Sequence, residues 1–384
     1  MNVSHRFRSF NDAVPRTPRR RAYPSGFAWL CCTLLAVGIG ISAGCQAPDR
    51  TLRNADRFAV QDSPVAPGAD PRAASLYHPD LIVGSWNIKW FGSSNPDVRD
   101  YVTMADVIEE FDVVAIQELR GSHYQECVDE LLDELSWRGR SYQAQISGLT
   151  GYDSNPGQDK NDYTERFAYI WDTTRVEMVG SPRFHSSPVI NNSVFRQVPY
   201  IADFKVVGGN GFDFRVLTVH TVFNEKLNGV RADEIRAVKQ WMIAEARGLE
   251  KNIVAIGDFN ANPSRQPKHF ATIIPDGTDF RVLMYESKDA GETPVRTTIQ
   301  QKDNPTSTTY FQKPVYDHML VSHETSYALT ANPMTRAGGH MGVVEFDQDP
   351  WWKENGWTWN DIITAVSDHR PVWFRMDFDA PDND

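Results

Sequence analysis

The chain has 384 residues, of which 41% are hydrophobic and 11% aromatic, so it can bury a large apolar core. This composition predicts a globular protein and argues against a mainly disordered one. The formal net charge of −11 at pH 7 excludes a protein that coats nucleic acid through bulk positive charge.

The first 44 residues are typical of an export signal. Six arginines precede the apolar run FAWLCCTLLAVGIGISAG of 18 residues, and Cys45 follows it. The stretch SAGC at residues 42–45 resembles the lipobox of bacterial lipoproteins, with Ser42 where leucine is usual, which implies lipidation of Cys45. The alternative is an uncleaved anchor, because the apolar run nearly spans a bilayer. Either alternative predicts export to a bacterial cell envelope and tethering to the membrane there, facing the periplasm or the cell surface.

Residues 45–78 contain many prolines and alanines without a sustained apolar period, which is typical of a tether. The predicted organisation is therefore a signal (1–44), a tether (45–78) and one folded domain (79–384). Residues 1–44 hold six arginines and one aspartate, so the remainder has 33 basic and 49 acidic residues, a formal charge of −16. That remainder has one cysteine after Cys45, Cys127, which predicts a fold without an internal disulfide.

Seven short apolar runs separated by turn signals predict β-strands. They lie at residues 81–88, 112–118, 166–171, 214–220, 252–258, 316–322 and 371–378. Several are apolar almost throughout, as in strands that are covered on both faces. Apolar residues also recur at helical spacing around residues 98–108 and 235–246. The pattern predicts an α/β (α+β) fold in which helices flank two packed mixed β-sheets, a four-layer sandwich.

Residues 331–365 gather four tryptophans with little periodicity. Two interpretations remain: the rings pack over a sheet edge, or they line a groove for bases or sugars.

The predicted strands end repeatedly in side chains that bind metals or phosphates. These are Asn87, Glu118, His220, Asp258 and Asp317. Five such endings at corresponding positions predict a shared rim where a site is assembled. In an extended chain Asp258 and Asn260 project to the same side, whereas the adjacent Asp317 and His318 project to opposite sides. We therefore expect Asp317 to face the site and His318 to have a structural role.

The same positions carry a resemblance to a known family. In chain order the motifs are SWNIKWFG, QELRG, TVH, GDFNANP, YDHMLVS and SDHRPV, the last of which contains Asp368 and His369. Each motif alone is weak, but the ordered set resembles the endonuclease/exonuclease/phosphatase superfamily over residues 81–378. The resemblance implies a deoxyribonuclease I-like fold.

Two details resemble the deoxyribonuclease I branch of that superfamily. Arg120 resembles its phosphate-contacting arginine, and YTERFAYIW resembles the segment where a tyrosine contacts substrate and a glutamate supports the first catalytic histidine, here Tyr163 and Glu165. One departure is FRQVP, in which Arg196 lies three residues before the proline and Gln197 occupies the position where the branch has its arginine. Arg196 is thus predicted as a phosphate contact on weaker grounds.

The resemblance also implies a mechanism of phosphodiester hydrolysis. Metal ligands would be Glu118, Asn87 and Asp368, and hard oxygen ligands suit Mg²⁺, with Mn²⁺ or Ca²⁺ as alternatives. His369 oriented by Asp317 would accept the proton of water, and His220 paired with Glu165 would protonate the leaving oxygen. In the alternative, Asp258 is the base and His369 grips the phosphate. Asn260 is predicted to contact substrate in either case. Arg370 is predicted to form salt bridges.

Three functions are compatible with these residues. The first is a metal-dependent DNA endonuclease without strong sequence preference, acting as a monomer outside the cytoplasm; no protein partner can be inferred from the sequence. The second is a phosphatase or a phospholipid or sphingolipid phosphodiesterase on the same core. The third is a non-catalytic surface protein that reuses the scaffold for binding.

Overall fold

The computed structural model describes residues 80–93, 95–151, 164–185, 194–208, 210–223, 228–261, 280–283, 297–299, 315–322, 325, 341–380 and 382. The predicted signal and tether, as well as Tyr163, lie outside these ranges. Within them, no helix combines the length and apolarity needed to cross a bilayer.

Twelve strands and five α-helices lie within the described ranges. The strands are β1 (Asp80–Phe91), β2 (Val113–Leu119), β3 (Tyr142–Ile146), β4 (Arg166–Asp172), β5 (Val176–Phe184), β6 (Tyr200–Val206), β7 (Asp213–His220), β8 (Ile253–Asp258), β9 (Phe280–Val282), β10 (Asp317–Ser322), β11 (Met341–Val343) and β12 (Val372–Asp377). The helices are α1 (Tyr101–Ile108), α2 (Tyr124–Trp137), α3 (Asn228–Glu245), α4 (Pro350–Glu354) and α5 (Trp359–Ala365). Two short 3-10 helices, Pro96–Val98 and Phe346–Gln348, precede α1 and α4.

The strands form two six-stranded sheets. The first has the order β11-β12-β1-β2-β4-β3 and the second the order β5-β6-β7-β8-β10-β9. Each sheet is mixed, because β1 and β2 are parallel in the first and β7 and β8 in the second, while their other neighbours are antiparallel. Helix α1 connects the first parallel pair and α3 connects the second.

Three hydrophobic clusters define four layers. The central cluster lies between the sheets and includes Val83 and Phe167 from the first and Phe204 and Val216 from the second. A second cluster joins the outer face of the first sheet to α1, α2 and α5, and a third joins the second sheet to α3. The predicted fold class, two packed mixed sheets flanked by helices, is confirmed. All seven predicted strands and both predicted helical segments are present.

A small polar network crosses the apolar space between the sheets. Gln117 Nε2 of β2 donates hydrogen bonds to Ser85 Oγ at 3.0 Å and to Thr218 Oγ1 of β7 at 2.8 Å. The Tyr169 hydroxyl of β4 accepts from Thr218 N at 3.1 Å and lies 2.8 Å from the Val216 carbonyl oxygen. Buried polar groups are stable only when they are paired, so these bonds favour one register of the two sheets.

The tryptophan-rich segment packs on the first sheet where the structure describes it. Trp352 is buried in the cluster with α5, and its Nε1 donates to the Phe346 carbonyl oxygen at 2.8 Å. The half-buried Trp351 and Trp357 lie against it, with ring centroids 5.4 and 4.9 Å from that of Trp352. These contacts favour the packing interpretation over a groove.

Candidate active site

The polar strand ends meet at one edge of the two sheets. The carboxyl ends of parallel strands point the same way, so β7 and β8 bring His220 and Asp258 into register as neighbours. The antiparallel β10 begins at the same edge, where Asp317 pairs with Asp258. In the first sheet β1 and β2 likewise carry Asn87 and Glu118 toward this edge.

His220 and Glu165 form a buried ion pair. His220 Nδ1 lies 2.9 Å from both carboxylate oxygens of Glu165, and the two side chains are 5% and 0% exposed. Burial opposes the charge on the imidazole, but Glu165, Asp258 and Glu118 together raise the pKa of His220 to about 9. Burial likewise opposes ionisation of Glu165, whose pKa is nevertheless lowered by His220 and Arg120. The Nδ1–H of His220 therefore points to Glu165, and its Nε2 faces Asp258.

His369 forms a second pair of the same kind. Its Nδ1 lies 2.9 Å from Asp317 Oδ2. Burial opposes the charge here too, but Asp317 and Asp258 raise the pKa of His369 well above its ordinary value. The Nε2 atoms of His220 and His369 each lie 3.7 Å from the same oxygen, Asp258 Oδ2. The two histidines, each bound to its own carboxylate partner through Nδ1, thus approach the same Asp258 carboxylate through Nε2.

The main chain and Asn87 hold Asp258 in this central position. Its Oδ1 accepts from Asn260 N at 2.8 Å, and its Oδ2 accepts from Asn87 Nδ2 at 3.1 Å. Burial raises the pKa of Asp258. The preceding Gly257 has φ 148°, and a Cβ there would lie 2.0 Å from the Val219 carbonyl oxygen, so glycine is required. Asn260 itself donates from Nδ2 to Thr221 O at 2.8 Å.

Asn87 and Glu118 have oxygen atoms that fit a divalent ion. Asn87 Nδ2 lies 3.4 Å from Glu118 Oε1, while Asn87 Oδ1 is buried without a hydrogen-bond partner among the described residues. Such an unpaired oxygen costs roughly 1–3 kcal/mol unless another ligand contacts it. Glu118 has a left-handed backbone (φ 64°), a strained conformation typical of functional sites. A hard oxygen acceptor beside a carboxylate is the donor set that Mg²⁺, Mn²⁺ or Ca²⁺ prefers.

A second group of metal-type ligands lies beside the first. Asp258, Asp317 and His369 each offer an atom within 4.8 Å of the others. Asp317 Oδ1 is buried without a hydrogen-bond partner among the described residues. The remaining predicted ligand, Asp368, instead forms an ion pair with Lys89, with Oδ2 3.0 Å from Nζ. Of the three predicted metal ligands, Asn87 and Glu118 are therefore in contact with each other, whereas the charge of Asp368 is balanced by Lys89.

The SDHRPV segment is fixed to the first sheet from several sides. Ser367 Oγ donates to the Asn87 carbonyl oxygen at 2.6 Å and accepts from His369 N at 3.0 Å. Trp86 Nε1 donates to the His369 carbonyl oxygen at 2.9 Å. Arg370 forms a bidentate pair with Asp347 at 2.7 and 2.8 Å, which matches the salt-bridging role predicted for it. These bonds hold the His369 backbone rigidly beside Asn87.

Three predicted substrate contacts have different positions. Arg120 lies at the site, with Nη2 3.3 Å from Glu165 Oε2 and 3.6 Å from Glu118 Oε1. Arg196 precedes β6, and its backbone N–H donates to Glu234 Oε1 at 2.7 Å. This bond does not involve the guanidinium, and the phosphate contact of Arg196 stays a prediction. Tyr163 lies outside the described residues.

Two charged residues behind the site were not predicted. Glu234 of α3 is fully buried and also accepts from Val222 N at 2.8 Å, and burial raises its pKa to about 7. Arg231, one turn earlier, donates from Nε to the Val222 carbonyl oxygen at 2.7 Å. Both lie on the helix face of the buried Ile235 and Val238. The sequence does contain a signal for their burial, because both charged residues fall at helical spacing with the apolar residues of that face.

His318 has the structural role that its position in the strand predicts. It is fully buried, and its Nε2 donates to the carbonyl oxygens of Ala261 at 2.9 Å and Val315 at 3.0 Å. Burial disfavours the charged ring and lowers the pKa of His318 from 6.5 to about 4. The imidazole is therefore neutral in the folded chain at pH 5 to 7 but charged at pH 5 in the unfolded chain.

We expect His318 to make the fold sensitive to acid. A lowered folded-state pKa gives stability that is present above pH 6.5 and is lost as the pH falls toward 4. The unfolding free energy of the native chain should fall by about 2 kcal/mol more between pH 7 and pH 5 than that of His318→Gln. Urea unfolding at both pH values measures this difference. Equal pH slopes for the two proteins would contradict it.

Two sheets that bring two histidine–carboxylate pairs and a set of metal-type oxygens to one aspartate define a hydrolytic enzyme. The family model described as the Endonuclease/Exonuclease/phosphatase family matches residues 84–369, more than half of the chain. The chain belongs to this family, as its motifs predict. Enzymes of the family generally use divalent metal ions.

Two relatives confirm the resemblance to the deoxyribonuclease I-like branch. A deoxyribonuclease of Thioalkalivibrio sp. (strain K90mix) is 26% identical over 187 residues, 48% of this chain and 47% of that protein. Deoxyribonuclease-1 of Bos taurus is 22% identical over 219 residues, 52% of this chain and 71% of that protein. The chain thus spans about half the length of the first relative.

Solved structures are more distant. The D. rerio TDP2 complex with a single-strand DNA product is 16% identical with a TM-score of 0.49, covering 78% of this chain and 99% of that one. A family protein of Bacteroides thetaiotaomicron is 18% identical with a TM-score of 0.48, covering 78% and 98%. The family assignment therefore rests on the family model, which identifies the chain as a hydrolytic enzyme.

Proposed function

We propose that the chain is a divalent-metal-dependent phosphodiester hydrolase that cuts DNA without strong sequence preference. The observation that carries the proposal is the approach of two histidine Nε2 atoms to Asp258 Oδ2, each at 3.7 Å. Hydrolysis of a diester needs a base for water, an acid for the leaving oxygen and positive charge on the phosphoryl oxygens. The site offers groups for all three tasks.

His220 is suited to protonate the leaving oxygen. Its pKa of about 9 keeps the imidazolium at neutral pH, and Glu165 fixes the ring so that Nε2 carries the proton toward the site. Arg120 lies against Glu165 and Glu118, where its guanidinium can also contact a phosphoryl oxygen. This role for His220 is the one that the family resemblance implies.

Asp258 is the base that this arrangement favours. The pKa of His369 is raised by Asp317 and Asp258, so His369 is a cation that can grip a phosphoryl oxygen rather than accept a proton. Asp258 lies between both histidines, and burial raises its pKa toward the range of a useful base. Of the two assignments compatible with the sequence, the geometry supports the one with His369 on the phosphate. Asn260 then acts by holding Asp258 Oδ1 through its backbone N–H.

Glu118 and Asn87 would hold the divalent ion, for which Mg²⁺ is the proposed species. When bound, the ion supplies Lewis-acid stabilisation of the charge that develops on the phosphoryl oxygens. Because Asp368 is paired with Lys89, we propose it as an outer partner that helps to place the ion.

DNA is the proposed substrate because both relatives are named deoxyribonucleases. A plasmid-nicking assay with the purified full chain tests it. We expect supercoiled plasmid to become open-circular and then linear in Mg²⁺. The same preparation should release little phosphate from sugar phosphates and little headgroup from phospholipid vesicles. Hydrolysis of those substrates without nicking would replace the nuclease with a phosphatase or lipid phosphodiesterase.

A further inference from the structure

Two exposed aromatic residues lie close in the chain to site residues, Trp90 in β1 and Phe223 just after β7. Trp90 is 53% exposed and follows Asn87 by three residues, and Phe223 is 66% exposed and follows His220 by three residues. Aromatic side chains of this size are normally buried in a folded domain. Three residues span at most about 10 Å of chain, so each residue lies within that distance of Asn87 or His220.

A buried arginine holds the main chain behind each ring. Arg99 is 5% exposed, and its Nη2 donates to the carbonyl oxygens of Lys89 at 2.5 Å and Trp90 at 2.9 Å. Arg231 is 1% exposed and donates to the carbonyl oxygens of Val222 and Phe223 at 2.7 and 2.5 Å. Burying a guanidinium is unfavourable unless its hydrogen bonds are satisfied. Both segments are therefore held in position rather than loosely attached.

The backbone at Trp90 is tied to the metal-type ligands. Trp90 has a left-handed φ of 48°, which a bulky side chain rarely adopts, and its N–H donates to Glu118 Oε2 at 3.1 Å. Glycine would adopt this conformation without strain. The Trp90 ring is 53% exposed, and Lys89 Nζ lies 5.5 Å from its centroid, so part of the ring is open to a ligand.

We propose that Trp90 and Phe223 stack on unpaired bases next to the scissile phosphate, so that single-stranded DNA is the preferred substrate. This inference rests on the proposed nuclease function. In a duplex the base faces are covered by neighbouring bases, whereas in a single strand they are open to an aromatic ring. The acidic chain, with a formal charge of −11, gains little affinity from phosphate neutralisation, and stacking supplies affinity that does not depend on it.

The test compares one labelled oligonucleotide as a single strand and as a duplex, with the full chain in Mg²⁺. Trp90→Ala and Phe223→Ala should each raise KM for the single strand by about 5- to 150-fold. Their kcat, and their KM for the duplex, should change less than about twofold, because stacking is a binding contribution that is unaltered in the transition state. Trp90→Phe, which retains a ring, should keep most of the native KM.

Trp137→Ala is the matched control. The start of α2 lies beside the end of β1, where His123 N–H donates to the Gly92 carbonyl oxygen at 3.0 Å. Trp137 is 41% exposed and lies about 20 Å further along the helix, so this variant should behave as the native chain. Native chain that cuts both substrates while Trp90→Ala and Phe223→Ala leave the single-strand KM unchanged would overturn the stacking proposal alone. An equal rise in KM for both substrates would also overturn it. Native chain that cuts neither would overturn the nuclease proposal and the stacking proposal with it.

Discussion

Replacing His220 or His369 with alanine should lower kcat on DNA by about 100- to 10,000-fold while the chain remains folded. His220 donates the proton to the leaving oxygen in the proposed mechanism, and His369 contacts the phosphoryl group. Each removal also takes the imidazolium away from its carboxylate partner, Glu165 or Asp317, although Arg120 still faces Glu165. Retained activity in either purified variant, with an unfolding midpoint near that of the native chain, would exclude the two-histidine mechanism.

Glu165→Gln gives a sharper version of this experiment because it keeps the shape of the pair and removes its charge. Glu165 is the largest influence that raises the pKa of His220 to about 9, against the opposing effect of burial. Without it the imidazolium should lose its proton at lower pH. The alkaline limb of the kcat–pH profile should therefore move from near pH 9 to lower values. A merely structural contribution of Glu165 would reduce kcat equally at all pH values.

Removal of divalent ions with EDTA should abolish hydrolysis, and added Mg²⁺ or Mn²⁺ should restore it. Glu118→Gln and Asn87→Ala should each raise the Mg²⁺ concentration for half-maximal activity by at least about 100-fold. Loss of a direct ligand should exceed the 10- to 100-fold effect typical of outer partners. Calorimetric titration of the metal into the chain, without substrate, gives a second measurement that does not depend on turnover.

Asp368→Asn is the comparison variant for the metal experiment. Its carboxylate pairs with Lys89 at 3.0 Å, so we expect a smaller rise, within 10- to 100-fold. A rise as large as that of Glu118→Gln would make Asp368 a direct ligand, as the family resemblance implies. Hydrolysis that is unaffected by EDTA would contradict a metal site at Asn87 and Glu118.

The sequence predicts the central strands of both sheets because they are covered on both faces and read as continuous apolar runs. All four edge strands, β3, β5, β9 and β11, were missed, and so was β6. Strand β5 has mostly exposed or half-buried side chains and β11 has three residues, so neither carries an apolar run. In β6, Asp203 and Lys205 interrupt the apolar positions.

Helix α2 was also missed, although its buried residues recur at helical spacing. Cys127, Val128, Leu131 and Leu135 face the core, and half of the other residues in the helix are acidic. A count of apolar positions at the helical period would have found it. The short α4 and α5 each have a local start signal, because Asp349 caps α4 before Pro350 and Thr358 forms a capping box with Asp361 on α5. Helices this short are not stable alone, so both also depend on tertiary packing of their tryptophans and isoleucines.

The ordered motifs predict which residues belong to the site but not how they pair. The lysine partner of Asp368 and the central place of Asp258 depend on contacts between segments far apart in the chain. The same holds for Arg99 and Arg231, which read as surface charges in the sequence yet are buried. Such contacts are set by the register and packing of the two sheets.

The Asn87 side chain of the first sheet donates to Asp258 of the second at 3.1 Å, so neither sheet contains a complete site. In a refolding experiment, intermediates with native-like secondary structure but undocked sheets should have no enzymatic activity. Recovery of hydrolysis would then lag behind recovery of the far-ultraviolet circular dichroism signal. The recovery of turnover would therefore measure the rate at which the two sheets dock, without an attached label.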